Sequence, residues 1–120
     1  MEPVYGRHGQ VVAWLEDNRE LIRDLGGRVN AWVHDDCVYS LRGAHVGHFV
    51  DGNFRDTGGA VVAYISGAAG GPIKPVKAVT PVRPVRGVRP VRPVRSVRMV
   101  RPMRSSGWSQ LTFDAYVAGR

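Results

Sequence analysis

Cysteine, long apolar runs and acid in the C-terminal half are what this 120-residue sequence lacks, and each shortage removes a class of protein. Cys37 is the only cysteine, so no internal disulfide framework can form and a reducing cytoplasm fits. No apolar stretch approaches the roughly 20 residues of a transmembrane helix. Met1-Glu2-Pro3 is not followed by the basic and apolar regions of a signal peptide. The expectation is a soluble, cytoplasmic protein without a transmembrane segment.

Catalytic groups are equally sparse. His45 and His48 are three apart, which on a strand of period two points them to opposite faces and forbids joint chelation. His34 and Cys37 have the same spacing but straddle a turn, with nothing to orient the pair. Asp35, Asp36, Asp51 and Asp56 fall in or beside turns, where aspartate is favoured for backbone reasons. No convincing helix exists to carry a phosphate loop. The expectation is no catalytic residue, no metal site and no cofactor, with an enzyme the last of the competing classes.

The missing acid is confined to one region. Residues 72–104 hold ten lysines and arginines and no Asp or Glu, whereas residues 1–71 hold six arginines against nine acids. Residues 105–120 carry only Asp114 and Arg120. An acidic body thus bears a strongly basic strap, which points to an anionic partner or to docking on the body itself.

What is present is repetition. Four segments superimpose without gaps, beginning at Val4, Ile22, Val38 and Phe54 and ending at Leu15, Val33, Phe49 and Ile65. Each carries a glycine five places after its apolar start: Gly9, Gly27, Gly43 and Gly59. A small residue follows four places later (Ala13, Ala31, Gly47, Ala63), then Trp14, Trp32, His48 or Tyr64. Each unit reads as strand, tight turn, strand, with the glycine supplying positive φ. The links between units are short and polar, as in Asp51-Gly52-Asn53. Eight strands so joined form an antiparallel meander, and equivalent units should curl about a pseudo-four-fold axis toward closure, which removes the edges. A folded part this small has only a marginal core, so closure or homo-oligomer formation would help it.

Period-two alternation places Val11, Ala13 and Leu15 on one apolar face with their equivalents, including His45, Gly47 and Phe49. Trp14, Trp32, His48 and Tyr64 share the opposite face as a candidate aromatic ring, either packed as core or lining a ligand cup on the axis.

From Pro72 the chain falls into eleven triplets, proline-rich at the first place, apolar at the second and basic at the third except at Thr80. Such a period matches polyproline II, which has three residues per turn. Fully extended the tract would span roughly 100 Å, so it must project, or fold back at weaker triplets such as Gly87 and Ser96. Three readings stay open: a solvated spacer, a strap for nucleic acid or anionic lipid, and intramolecular docking on the aromatic face. The candidate anion-binding residues are Arg83, Arg86, Arg89, Arg92, Arg95, Arg98, Arg101 and Arg104. Beyond the tract, Leu111, Phe113, Ala115 and Val117 alternate with mostly polar residues and predict a closing C-terminal strand within residues 105–120.

The repeated unit, the basic tract and the closing Gly107-Trp108-Ser109 together resemble the bacterial four-fold β-flower proteins. The resemblance implies hairpin petals around a pseudo-four-fold axis and no particular activity. It departs at His48, where an aromatic is expected. More loosely, the hairpins are similar to tubby-like and scramblase-like barrels, an analogy of fold that hints at membrane lipid. The expected protein is all-β: a four-hairpin body at 1–71, a Pro-Val-Arg tract at 72–104 and a final strand at 105–120. Its expected role is a non-enzymatic binding or scaffold module, with anionic membrane binding as the alternative.

Overall fold

A computed structural model describes residues 1–16, 18–97 and 100–119. Eight strands run in chain order: β1 Glu2–Gly6, β2 Val11–Glu16, β3 Leu21–Arg23, β4 Val29–His34, β5 Cys37–Ser40, β6 His45–Val50, β7 Asn53–Asp56 and β8 Val61–Tyr64. Each pairs antiparallel with its neighbours, and β8 returns to β1 through Tyr5↔Tyr64 and Gly6↔Ala63, so the sheet is a closed barrel.

Closure follows from turns that repeat one chemistry. In all four hairpins the residue three before the glycine accepts its N–H (Gly9 to Gly6, Gly27 to Asp24, Gly43 to Ser40, Gly59 to Asp56). The four glycines have φ between 83° and 90°, a region that a side chain resists. Asp24 Oδ1 accepts from the amides of Gly26 and Arg28, and Asp56 Oδ1 from those of Gly58 and Ala60, so aspartate holds these turns from within. Past each turn the register slips by one residue, at Val4/Tyr5, Ile22/Arg23, Val38/Tyr39 and Phe54/Arg55. This bulge leaves Val12, Asn30, Val46 and Val62 as the extra residue on the second strand.

The bulge corrects the expected faces. Strict alternation puts Val11 with Ala13 and Leu15, but Val11 packs with Tyr5, Trp14 and Tyr64, and Val29 with Leu21, Trp32 and Tyr39. The barrel interior is instead filled by Val4, Ala13, Leu15, Ile22, Ala31, Val33, Val38, Phe49, Phe54, Ala63 and Ile65, joined by Val46 and Val62. One inserted residue flips everything on the turn side of it, which periodicity cannot see.

The expected C-terminal strand is also corrected: Phe113–Ala118 is an α-helix, α1. Thr112 caps it by accepting from the Ala115 amide, and Gly119 ends it in the left-handed region at φ 80°. Phe113, Tyr116 and Val117 are buried in the interior cluster at the i, i+3, i+4 spacing of one helix face, whereas strand alternation would turn Tyr116 away from the other two. With β1 and β8 paired, the barrel offers no open edge for another strand. The only pairing of this segment among the described residues is an isolated bridge between Trp108 and Val61.

The Tyr116 hydroxyl reaches through the core to donate to the Arg55 carbonyl at 2.9 Å. It lies beside Gly47, where an added Cβ would stand 2.5 Å from that hydroxyl and closer still to the Arg55 carbonyl. The third unit therefore has glycine where the others have alanine because the Arg55 carbonyl and the Tyr116 side chain bonded to it together fill that space. Gly47→Ala should destabilise the fold by roughly 1–3 kcal/mol through overpacking, read as a lowered urea midpoint.

Candidate functional site

The outer face of the barrel is covered by residues 72–97 and 100–107, which carry no regular secondary structure. The covering is a series of equally spaced contacts. The amides of Ala78, Gly87, Ser96 and Ser105 donate to the carbonyls of Gly9, Gly27, Gly43 and Gly59 at 2.9, 3.0, 2.8 and 3.1 Å. The donors are nine residues apart, so one hairpin is met every three triplets. Proline has no N–H, which explains why the first place of the triplet is Ala, Gly, Ser and Ser at those four positions and proline at seven of the other eight first places from 72 to 105. The nine-residue unit was present in the sequence beneath the stronger period of three.

The turn glycines serve this contact too. A Cβ at Gly9, Gly27, Gly43 or Gly59 would collide with the carbonyl of Val76, Val85, Val94 or Met103, and the ring of Pro75, Pro84, Pro93 or Pro102 lies 3.4–3.5 Å from the same point. All four glycines are buried beneath the strap. The tract therefore neither projects nor folds back; it runs round the barrel and returns to its start, where the Ser109 amide donates to Val61 and the Val61 amide to Gly107.

Charge completes the seam. The buried Arg23 donates to the carbonyls of Gly27 and Gly87, and the buried Arg55 to those of Gly59 and Ser105, so each guanidinium joins a turn to the strap. Tyr5 and Tyr39 occupy the equivalent places in the other two hairpins, with the Lys77 ammonium 5.6 Å over the Tyr5 ring. This alternation of tyrosine and arginine was legible in the repeat, but its role was not, because the carbonyls that it joins come from distant segments.

Of the candidate arginines, Arg86 pairs with Glu16 at 2.5 Å, Arg104 with Asp51 at 2.7 Å, Arg92 with Glu20 at 3.4 Å and Arg101 with Asp36 at 3.5 Å. Arg92 also lies 4.8 Å over the Trp32 ring. Arg83, Arg89 and Arg95 are exposed, and Arg98 lies outside the described residues. The four rings sit on the outer face and are buried, with Trp14 and Tyr64 in one cluster, Trp32 in another and His48 against His45. They do not converge on an axial cup. The barrel end built from the links between hairpins instead carries a depression of about 780 Å³, with Glu20, Asp35, Asp36 and Asp51 in its lining beside Arg19, His34 and apolar residues.

The expectation that His45 and His48 face opposite ways is overturned by the same bulge. Cys37 lies directly across from His48 and Tyr39 across from His45, which puts both imidazoles and the thiol on the outer face. The two imidazoles meet edge to face at 4.7 Å.

The apolar row of the tract points away from all of this. Ile73, the valines at 76, 79, 82, 85, 88, 91, 94, 97 and 100, and Met103 are each 89–95% exposed.

Glu16 is the most heavily committed acid at the seam. Burial pushes its carboxyl up, but bonds to Arg23 and Arg86 together outweigh that and hold it below its ordinary value. A carboxyl depressed in the folded state stabilises above its unfolded pKa, and that stability is lost as pH falls through the folded value. The wild type should therefore lose stability as the pH is lowered below about 4.5, the unperturbed value. Glu16→Gln should be weaker by about 3 kcal/mol at neutral pH, since Arg23 is left buried and unpaired, with a shallower acid slope in denaturant titrations.

Among the described residues no helix is long and apolar enough to cross a membrane. Neither a curated protein nor a solved structure matches the chain. The model of the 4-fold beta flower proteins matches residues 2–117, nearly the whole chain, and takes in the hairpins, the strap and all but the last residue of α1. With eight strands closed on themselves, a glycine at every hairpin turn and a strap bound to each, the chain belongs to the 4-fold beta flower family.

Proposed function

We propose that the protein is a non-enzymatic binding module in which four equivalent hairpins, set about a pseudo-four-fold axis, display the outer row of the strap to an anionic lipid surface. The observation that carries this reading is the row of eleven apolar side chains, each 89–95% exposed, threaded between basic residues. Soluble monomers rarely leave so extended an apolar surface uncovered without a partner for it.

Equivalence of the hairpins is supported by four identical turn bonds, four bulges and four strap contacts at a spacing of nine. A polyproline II path is supported by length. Nine residues at about 3.1 Å each cover about 28 Å, and a quarter of the circumference of a circle 36 Å across is also about 28 Å. In that conformation one edge of the strap faces the barrel, one carries cations and one carries valines.

The chemistry of the row selects the partner class. Arginine alone would suit nucleic acid, which offers phosphates and no use for exposed valine. A membrane interface offers anionic headgroups and an apolar layer beneath them. The row encircles the barrel, so a flat surface meets one arc at a time. Each nonapeptide presents three apolar side chains worth about 1.5 kcal/mol each if fully buried, and cations worth about 1 kcal/mol each near an anionic leaflet. That favours weak, reversible attachment comparable with a single acyl chain.

The test is sedimentation with vesicles of anionic or neutral phospholipid. Binding should require the anionic lipid, weaken as salt rises and fall severalfold in Val85→Asp and Val94→Asp, whose exposed positions should leave the thermal midpoint within a degree or two. Absence of vesicle binding at low salt overturns the lipid reading. So does binding of nucleic acid, with a steep salt dependence, that is indifferent to both substitutions. Concentration-dependent self-association abolished by the same substitutions, without vesicle binding, would make the row a contact between copies of this chain.

A further inference from the structure

We propose that Cys37, His45 and His48 form a binding site for a borderline-soft divalent metal ion of the zinc class, built into the third hairpin alone. The Cys37 thiol and one nitrogen from each imidazole all lie within 4.8 Å of one another. The three residues are 0%, 6% and 1% exposed, so the set is enclosed rather than a chance meeting of surface side chains.

Comparison within the repeat gives an independent reason. The positions of Cys37, His45 and His48 are filled in the second hairpin by Leu21, Val29 and Trp32, which pack as an apolar cluster. In the first hairpin they are Pro3, Val11 and Trp14, and in the fourth Asn53, Val61 and Tyr64. All three positions change together, in one unit, to residue types that bind metals. Drift toward polarity would not select one thiol and two imidazoles, since a buried polar side chain needs a partner whatever its type.

The fold sets the ligands from backbone register. Cys37 and His48 are a direct cross-strand pair, and the bulge at Val46 turns His45 to their side. The strap fixes that bulge: Ser96 Oγ accepts from the His45 amide at 2.9 Å, a bond that Ala78 and Gly87 at the equivalent strap positions cannot make. The Tyr39 ring, 5.5 Å from that of His45, flanks the site.

Thiolate and imidazole ligands around zinc, with bonds of roughly 2.0–2.3 Å, stand about 3.5 Å apart in a tetrahedron. Closing the observed set by about an ångström is within reach of rotation about the side-chain bonds. Binding displaces the thiol proton to solvent, giving a thiolate–metal bond, two imidazole nitrogen donors and a fourth position for water or a small anion. A metal here ties β5 to β6 directly beneath Ser96, and so stiffens the seam at one hairpin of the four.

The decisive experiment uses the full chain, stripped of metal by chelation, and cobalt(II) as a spectroscopic probe of the zinc site. The wild type should take up one equivalent, with thiolate-to-cobalt charge transfer in the near ultraviolet and the strong visible bands of tetrahedral cobalt. Zinc should bleach both and raise the thermal midpoint. His45→Val and His48→Trp rebuild the apolar packing of the second hairpin and should fold with no cobalt spectrum and no zinc shift. Cys37→Ser should lose the charge-transfer band. Absence of a stoichiometric cobalt spectrum in the folded wild type, or its retention in His45→Val and His48→Trp, would overturn the proposal and leave the cluster as polar packing.

Discussion

One amide hydrogen bond, made four times, organises the outer layer of this molecule. Every ninth residue of the strap donates its N–H to the carbonyl of a turn glycine, and the same glycine lacks a side chain so that the strap backbone can lie against it. Two constraints meet at that atom. The turn needs positive φ, and the strap needs close approach, so glycine is required twice over at Gly9, Gly27, Gly43 and Gly59. The buried guanidinium groups of Arg23 and Arg55 donate to strap carbonyls, and Lys74 and Arg92 lie over the buried rings of Tyr64 and Trp32, so the strap helps to cover the outer face. The barrel and its strap are thus one structure, and the acids at the links between hairpins hold the arginines of the strap in place.

The strap also separates two uses of one composition. Pro75, Pro84, Pro93 and Pro102 and four of its amides meet the turn glycines, several of its cations pair with acids or rings of the barrel, and its apolar row faces outward. A chain built only to brace the barrel would have no need of the outward row. That row is the part of the molecule most available to a partner, and single changes there touch no packed neighbour.

The repeat, the turn glycines and the antiparallel meander were legible because Gly and the apolar columns recur at fixed places, and such turns permit few other topologies. The faces were less so. A bulge adds one residue without altering composition, so the side chains of Val11, Val29 and His45 land opposite to where alternation puts them. The cluster of Cys37, His45 and His48 was hidden for that reason alone. The C-terminal helix was missed because Phe113 and Val117 fit both periods, although Thr112 and Gly119 already supplied a cap at each end. The nine-residue register was present at Ala78, Gly87, Ser96 and Ser105, but its meaning depends on carbonyls that only the folded hairpins bring within reach.

Hydrogen exchange resolved to single amides tests the strap's register most directly. The account predicts protection at Ala78, Gly87, Ser96 and Ser105 well above that of the valine amides between them, repeating with a period of nine. Uniform, fast exchange along residues 73–105 would contradict it, because a strap without those four bonds has nothing to hold it in register on the barrel.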